Sequence, residues 1–221
     1  MALAFDASVD GGTTSTASTL SWTHTCTGSD RILIVTDNEE ADPVTITGVT
    51  YNSVAMTLIA TSAGVASAGI SQLWYLINPA SGANTVTVTR TATANRLVGG
   101  SSSYTGAKQS GQPDANTTEA VSSVTSNAVT VTTIADNCWT VAGLDTSAGG
   151  VTAGAGTTLR QAVTDGSAIL DSNAAITPAG STSLSYNMTS GNTTVVMASI
   201  APAVAAAAGG GNKMSMMGIG S

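Results

Sequence analysis

The sequence predicts an all-β protein: an antiparallel β-sandwich or jelly roll of about a dozen short strands, followed by a non-globular C-terminal arm. Three observations carry this. Charged residues are only 9% of the 221, whereas hydrophobic residues are 42% and glycines number 24, a mixture of small, β-branched and hydroxyl residues that suits short strands better than helices. Apolar and polar residues alternate with a period of two along most of the chain, and no segment holds a helical period. Clusters of Gly, Pro, Asn, Asp and Ser interrupt the alternation at short intervals, as turns do.

The clearest stretch is Gly69–Thr91. Leu73, Tyr75 and Ile77 share one face of a first strand, and Gln72, Trp74 and Leu76 the other, so this strand is expected to be central and covered on both sides. After the turn segment Asn78–Asn84, Val86 and Val88 oppose Thr85, Thr87 and Thr89, which predicts a strand with one hydroxyl face toward water.

The other elements follow in order. Leu3, Phe5 and Ser8-Val9 predict a first strand ended by Gly11-Gly12. In Thr19–Thr27, Leu20, Trp22, His24 and Cys26 fall on one face; Arg31–Thr36 reads as a buried strand, and the two are expected to form a hairpin. Asp37–Pro43 reads as an acidic loop. Val44–Tyr51 and Val54–Thr61 flank Asn52-Ser53, which predicts a tight hairpin turn. Arg96–Tyr104 is a strand in which Gly99-Gly100 marks a bulge or a close backbone approach. Gly106–Thr118 reads as an exposed polar loop. Val121–Thr133 carries one or two strands around a bend at Ser126-Asn127, and Asn137–Asp145 is a strong strand. Gly149–Gly156 reads as a hairpin tip; Thr157–Thr164 and Ser167–Ser172 flank the turn Asp165-Gly166. Ser181–Asn187 and Thr193–Ile200, joined near Ser190-Gly191, close the body. The predicted organisation is a β-sandwich domain over 1–203 and an Ala/Gly/Met-rich arm over 204–221.

Composition narrows the function. Net charge is −7, and the six Lys and Arg residues are scattered from Arg31 to Lys213, so no basic patch exists for nucleic acid or an anionic membrane. The N-terminus lacks the basic and apolar regions of a secretory signal, and no apolar run reaches the roughly 18 residues of a membrane span. Sequons at Asn116, Asn187 and Asn192 read as chance in so Thr-rich a chain.

Candidate chemistry is sparse. His24 is the only histidine and sits mid-strand; no G-x-S-x-G elbow surrounds any serine, so it reads as a core or hydrogen-bonded histidine. His24, Cys26 and Cys138 lack zinc-site spacing, and the two cysteines read as buried free thiols, with a disulfide between strands as the alternative. Asp37, Glu39, Glu40 and Asp42 read as a solvated cluster, with a Ca²⁺ site or a glycosidase carboxylate pair as the sharper alternatives. Trp22, Trp74, Trp139 and Tyr75 lie inside apolar strands and read as core. Tyr51 and Tyr104, beside turns, are the candidates for a surface contact. No cofactor is expected. In the arm, Met214, Met216, Met217 and Ile219 are the expected assembly contacts, because methionine fills irregular grooves.

The segments His24–Thr36, Gly48–Thr57, Leu73–Thr89 and Ser102–Ala107, with Asn137–Gly143 and Val195–Ala203 at the end, resemble a β-sandwich domain found in tailed-phage structural proteins and some bacterial surface proteins. The likeness covers most of residues 18–203; its motifs are structural, and Asn52-Ser53 stands where the family pattern has Asn-Gly. The resemblance and the lack of catalytic motifs lead to the expectation of a non-enzymatic virion structural protein. It would be a capsid decoration (cement) protein or a tail or fibre component, made in the host cytoplasm, homo-oligomeric and bound to other virion proteins. The second expectation is a carbohydrate-binding or adhesin module that takes a glycan at a site formed by Tyr51, Tyr104 and the acidic loop. A hydrolase is the third.

Overall fold

The computed structural model describes residues 1–39, 45–65, 68–92, 96–162 and 166–203. These contain β1 (Ala4–Thr14), β2 (Thr19–Cys26), β3 (Ile32–Glu39), β4 (Ile46–Tyr51), β5 (Val54–Ala55), β6 (Thr57–Thr61), β7 (Ile70–Ile77) and β8 (Gly82–Arg90). They continue with β9 (Leu97–Thr105), β10 (Ala115–Thr132), β11 (Trp139–Thr146), β12 (Thr152–Ala153), β13 (Thr158–Ala162), β14 (Ala168–Asp171) and β15 (Ser181–Ile200). Every pairing is antiparallel, and no helix occurs among the described residues, so the all-β sandwich class read from the sequence is the one observed.

Three sheets stack rather than two. The middle sheet has the order β1-β9-β3-β7-β6; one outer sheet is β2-β8-β4-β5, and the other is β10-β15-β11-β14-β13, with β12 on β15. The alternation within β3 shows how the layers are held. Leu33 and Val35 enter a core shared with Leu20, Trp22 and Val88 of the first outer sheet, while Ile32 and Ile34 enter a second core with Val141, Ile169 and Val196 of the other. All eight residues of β3 are buried, as are all eight of β11. A strand apolar on both faces belongs in a middle layer, and β7 meets the same description: Trp74 packs toward one core and Leu73 toward the other. In β8, Val86 and Val88 are buried while Thr85 is exposed, so its hydroxyl face meets water as the pattern predicts.

Connectivity departs from the sequence reading in several places. β2 and β3 do not form a hairpin: β2 pairs with β8 and β3 with β7 and β9, so Gly28–Arg31 crosses from one layer to the next. Likewise β7 and β8 are consecutive but belong to different sheets. Period-two patterning specifies which face of a strand is buried, not which neighbour it pairs with. Gly11-Gly12 does not end β1; the strand passes through a bulge there and pairs with β9 as far as Thr14. Trp22 explains the glycines. A Cβ on Gly11 or on Gly99 would lie 2.7 Å from its indole, so the two backbones form a slot for that ring. Asn52 and Ser53 both have positive φ, 50° and 63°, as the predicted tight hairpin turn requires.

Ser181–Ile200 is one strand, not two joined at Ser190-Gly191. It nevertheless folds back. Tyr186 Oη lies 2.8 Å from Thr193 Oγ1, whereas seven extended residues would span about 23 Å. Around the bend Leu184, Tyr186 and Met188 cover Val195, Met197 and Leu144 in a third core. The partner strand β10 bends with it through irregular pairing between Val121 and Ser126, where Ser123 has φ 57°. The segment expected to be a polar loop, Gly106–Thr118, is partly structural: Ala107 and Gln112 are buried and β10 begins at Ala115. The arm 204–221, with Met214, Met216, Met217 and Ile219, lies outside the described residues.

Candidate functional site

A recess lies at the pole where the two ends of the described chain meet. It encloses about 610 Å³ and is lined by Met1, Ala2, Leu3, Trp139, Ala175 and Ala201–Ala203, with Lys108, Asp114, Asp136 and Asn137 also on its walls. The Met1 ammonium donates to the Ala203 carbonyl at 2.9 Å, and Ala203 N donates to Gly106 O at 2.7 Å. Gly106 has φ +71°, and a Cβ there would lie 2.1 Å from the Ala2 carbonyl, so only glycine lets these strand ends converge. Gln112 clamps Ala201 from both sides, donating to its carbonyl at 2.8 Å and accepting from its N–H at 3.1 Å.

The carboxylates of this pole are occupied by the wall itself. Asp114 Oδ2 accepts from Ile134 N at 2.6 Å, Ala135 N at 3.3 Å and Ser199 Oγ at 3.2 Å, with the Cys138 thiol at 3.5 Å. Asp136 Oδ1 accepts from Ala179 N at 2.6 Å. Burial, reinforced by Asp114, pushes the Cys138 thiol up to about 12, so it is not a nucleophile at neutral pH. Among the described residues, two of the four large exposed apolar side chains belong to this pole: Met1, 60% exposed, and Ile134, 74% exposed and adjacent to Ala135. The recess is therefore shaped to receive apolar groups beside a polar rim.

The candidates read from sequence lie elsewhere. Tyr51 and Tyr104 are both fully buried, which corrects their assignment to a surface contact. Being next to a turn did not expose them, because each phenol finds partners inside. Tyr51 Oη faces the carbonyls of His24, Ala80 and Gly82 at 3.1–3.2 Å, and burial pushes it up to about 12. Tyr104 Oη donates to Asp171 Oδ2 at 3.0 Å, an oxygen that also accepts from Arg160 Nε at 2.6 Å, and thereby bolts the middle sheet to the second outer sheet. Trp22, Trp74 and Trp139 are 8–9% exposed, the core landmarks their strands predicted. Cys26 and Cys138 are free, buried thiols.

Asp37 and Glu39 are not in a solvated loop. β3 continues through both, flanked by β7 and β9, and both side chains are buried; Glu40 and Asp42 lie outside the described residues. Among the described residues no three His, Cys, Asp or Glu side chains gather as metal ligands. Burial drives the Asp37 carboxyl well above the usual range. The Trp74 indole opposes this and the Glu39 charge adds to it, yet neither Asp37 oxygen has a hydrogen bond of normal geometry. Such an acid is neutral in the fold and ionised when unfolded, so it weakens stability progressively as pH rises above about 4. Asp37→Asn should be more stable than the native chain above about pH 4, by a margin that grows as pH rises from there and is absent at lower pH. Urea denaturation at several pH values checks this, and a gain independent of pH would contradict it.

His24 is fully buried and hydrogen-bonded at both nitrogens: Nδ1 to Ser101 Oγ at 2.8 Å and Nε2 to Ser103 Oγ at 2.9 Å. The hydrogens can be assigned. Burial raises the pKa of Asp6, but hydrogen bonds from Thr27 and Ser103 outweigh it and hold the carboxyl below its ordinary value, so it is ionised and can only accept. Ser103 therefore gives its hydrogen to Asp6 Oδ2, at 2.7 Å, and its oxygen accepts from His24 Nε2–H. Nδ1 is then bare and accepts from Ser101, whose oxygen accepts Trp22 Nε1–H at 2.8 Å. Every donor in the chain from Trp22 to Asp6 has one acceptor, and the imidazole is neutral, its pKa lowered to about 4 chiefly by burial. This network is sealed between two sheets and orders the core.

In comparison with known proteins, no protein-family model matches the chain and no curated protein matches it in sequence.

Proposed function

We propose that this chain is a non-enzymatic virion structural protein, a capsid decoration protein or a tail or fibre component, which assembles through apolar contacts and the arm 204–221. The observation that carries the reading is the apolar recess at the pole where Ala203 leads into the Met-rich arm. Two further features support it. The histidine, both thiols and the carboxyls of Asp37, Glu39, Asp145 and Asp171 are buried within the sheets. The segments from His24 to Ala107 carry the likeness to tailed-phage β-sandwich domains. A glycan-binding reading has lost its two stacking aromatics, since Tyr51 and Tyr104 are enclosed.

Deleting Gly209–Ser221 should leave the circular dichroism and thermal transition of the body unchanged while abolishing self-assembly. Light scattering of the full and shortened chains reads this directly. An oligomeric full chain and a monomeric truncation support the arm's role; equal masses overturn it.

A further inference from the structure

We infer that the recess beside Ala203 is a socket for the Met214–Ile219 segment of a neighbouring copy, so that copies join arm to socket. This rests on the assembly reading above and names the site the arm occupies.

The size and chemistry of the recess agree with that occupant. At about 610 Å³ it falls within the roughly 300–1,000 Å³ range of pockets that enclose a ligand. Its apolar walls include Leu3, Trp139, Ala175 and Pro202, and the exposed side chain of Met1 stands beside them. Three methionines and an isoleucine lie within six residues at 214–219, and unbranched thioether side chains adapt to irregular walls of this kind.

The described chain ends on the wall of the recess, and residues 204–213 can span at most about 36 Å. That reach is long enough for the segment to enter the same recess of an adjacent copy. Because arm and socket share one pole, two copies can exchange arms reciprocally in a closed two-fold dimer or pass them from copy to copy in rings or open arrays. Each link is short, and many copies on a lattice raise the effective concentration of arm and socket for one another.

Two variants separate the halves of the joint. Ala175→Trp fills the recess from an exposed wall position without touching the core. The chain lacking Gly209–Ser221 keeps the socket and loses the arm. By light scattering each should be monomeric alone, and a 1:1 mixture should form a heterodimer of twice the monomer mass, because one copy supplies the arm and the other the socket. Met216→Asp with Met217→Asp, which puts two charges into the apolar segment, should behave like the deletion. A mixture that stays monomeric overturns the proposal, including the case in which each arm fills its own recess. Native-like assembly of Ala175→Trp while the deletion is monomeric also overturns the socket but leaves arm-mediated assembly standing. Native-like assembly of the deletion removes the assembly reading itself.

Discussion

Replacing Arg90 by methionine is expected to cost about 3–5 kcal/mol of stability at pH 7, read by urea denaturation. Arg90 closes β8 and is 3% exposed, and its Nη1 lies 3.2 Å from Glu39 Oε1 of β3, whose side chain is 1% exposed. Its Nε and Nη2 donate to the Ala17 carbonyl at 3.1 and 2.9 Å, so one side chain ties the first outer sheet, the middle sheet and the β1–β2 connection together. Burial raises the Glu39 pKa and Arg90 opposes that rise through a hydrogen bond and its charge. Glu39 Oε2 has no hydrogen-bond partner among the described residues. Methionine keeps the apolar stem and removes the charge. Glu39 must then take up a proton or remain an isolated buried anion, and Ala17 loses its donors. The penalty is thus chiefly the stranded carboxylate, which gives a second outcome: Arg90→Met with Glu39→Gln should be more stable than Arg90→Met alone. A single variant within about 1 kcal/mol of the native chain, or a double variant no better than the single, would refute this account.

Much of the layer structure was legible in the sequence because burial writes itself into alternation. β2 shows it most plainly: Leu20, Trp22, His24 and Cys26 are buried while the hydroxyl residues between them are exposed. The uniformly apolar runs Ile32–Val35 and Leu73–Tyr75 identified strands covered on both faces, and a third layer was implicit in having two such runs. Local hairpins were legible, as in β4–β5 and β13–β14, but long-range pairing was not. β2–β8, β3–β9 and β10–β15 join segments separated by dozens of residues, and nothing local distinguishes such a partner from a hairpin neighbour. The tyrosines and acids were misplaced for a related reason. Tyr51, Tyr104, Asp37 and Glu39 looked exposed because turn proximity and polarity correlate with the surface; their partners, backbone carbonyls for Tyr51, Asp171 for Tyr104 and Arg90 for Glu39, come from distant elements. One signal was available. A lone histidine in an apolar row needs polar partners, and Ser101-Ser102-Ser103, inside a strand otherwise apolar, was the hydroxyl run able to supply them. The recess at this pole was illegible because it is assembled from the chain start, residues 108, 114, 135–137, 139 and 175, and residues 201–203 after β15.

The histidine network gives the second large effect. Unfolded, His24 titrates near 6.5; in the fold, burial lowers this to about 4 against the smaller opposing charge of Asp6. Between those values the unfolded chain binds more protons, so the contribution of His24 falls as pH falls through that window and is fully lost below about 4, a total of about 3 kcal/mol. The donor order gives a structural reason. Protonation would place a hydrogen on Nδ1 facing Ser101, which already donates there and accepts from Trp22, so Ser101 would have to turn its hydrogen away into the core. Asp37 and Glu39, whose pKa values burial raises, act in the opposite sense over part of the same range, so the raw stability curve mixes the two. Comparison with His24→Gln cancels them, since both chains retain those carboxyls, and glutamine can still donate to Ser103. The variant is expected to be less stable at pH 7, and the native advantage should shrink by about 3 kcal/mol between pH 7 and pH 4. Urea denaturation of both chains across that range measures the difference. A constant difference would mean that His24 enters the folded core without a depressed pKa, and that the assignment of hydrogens from Trp22 to Asp6 is wrong.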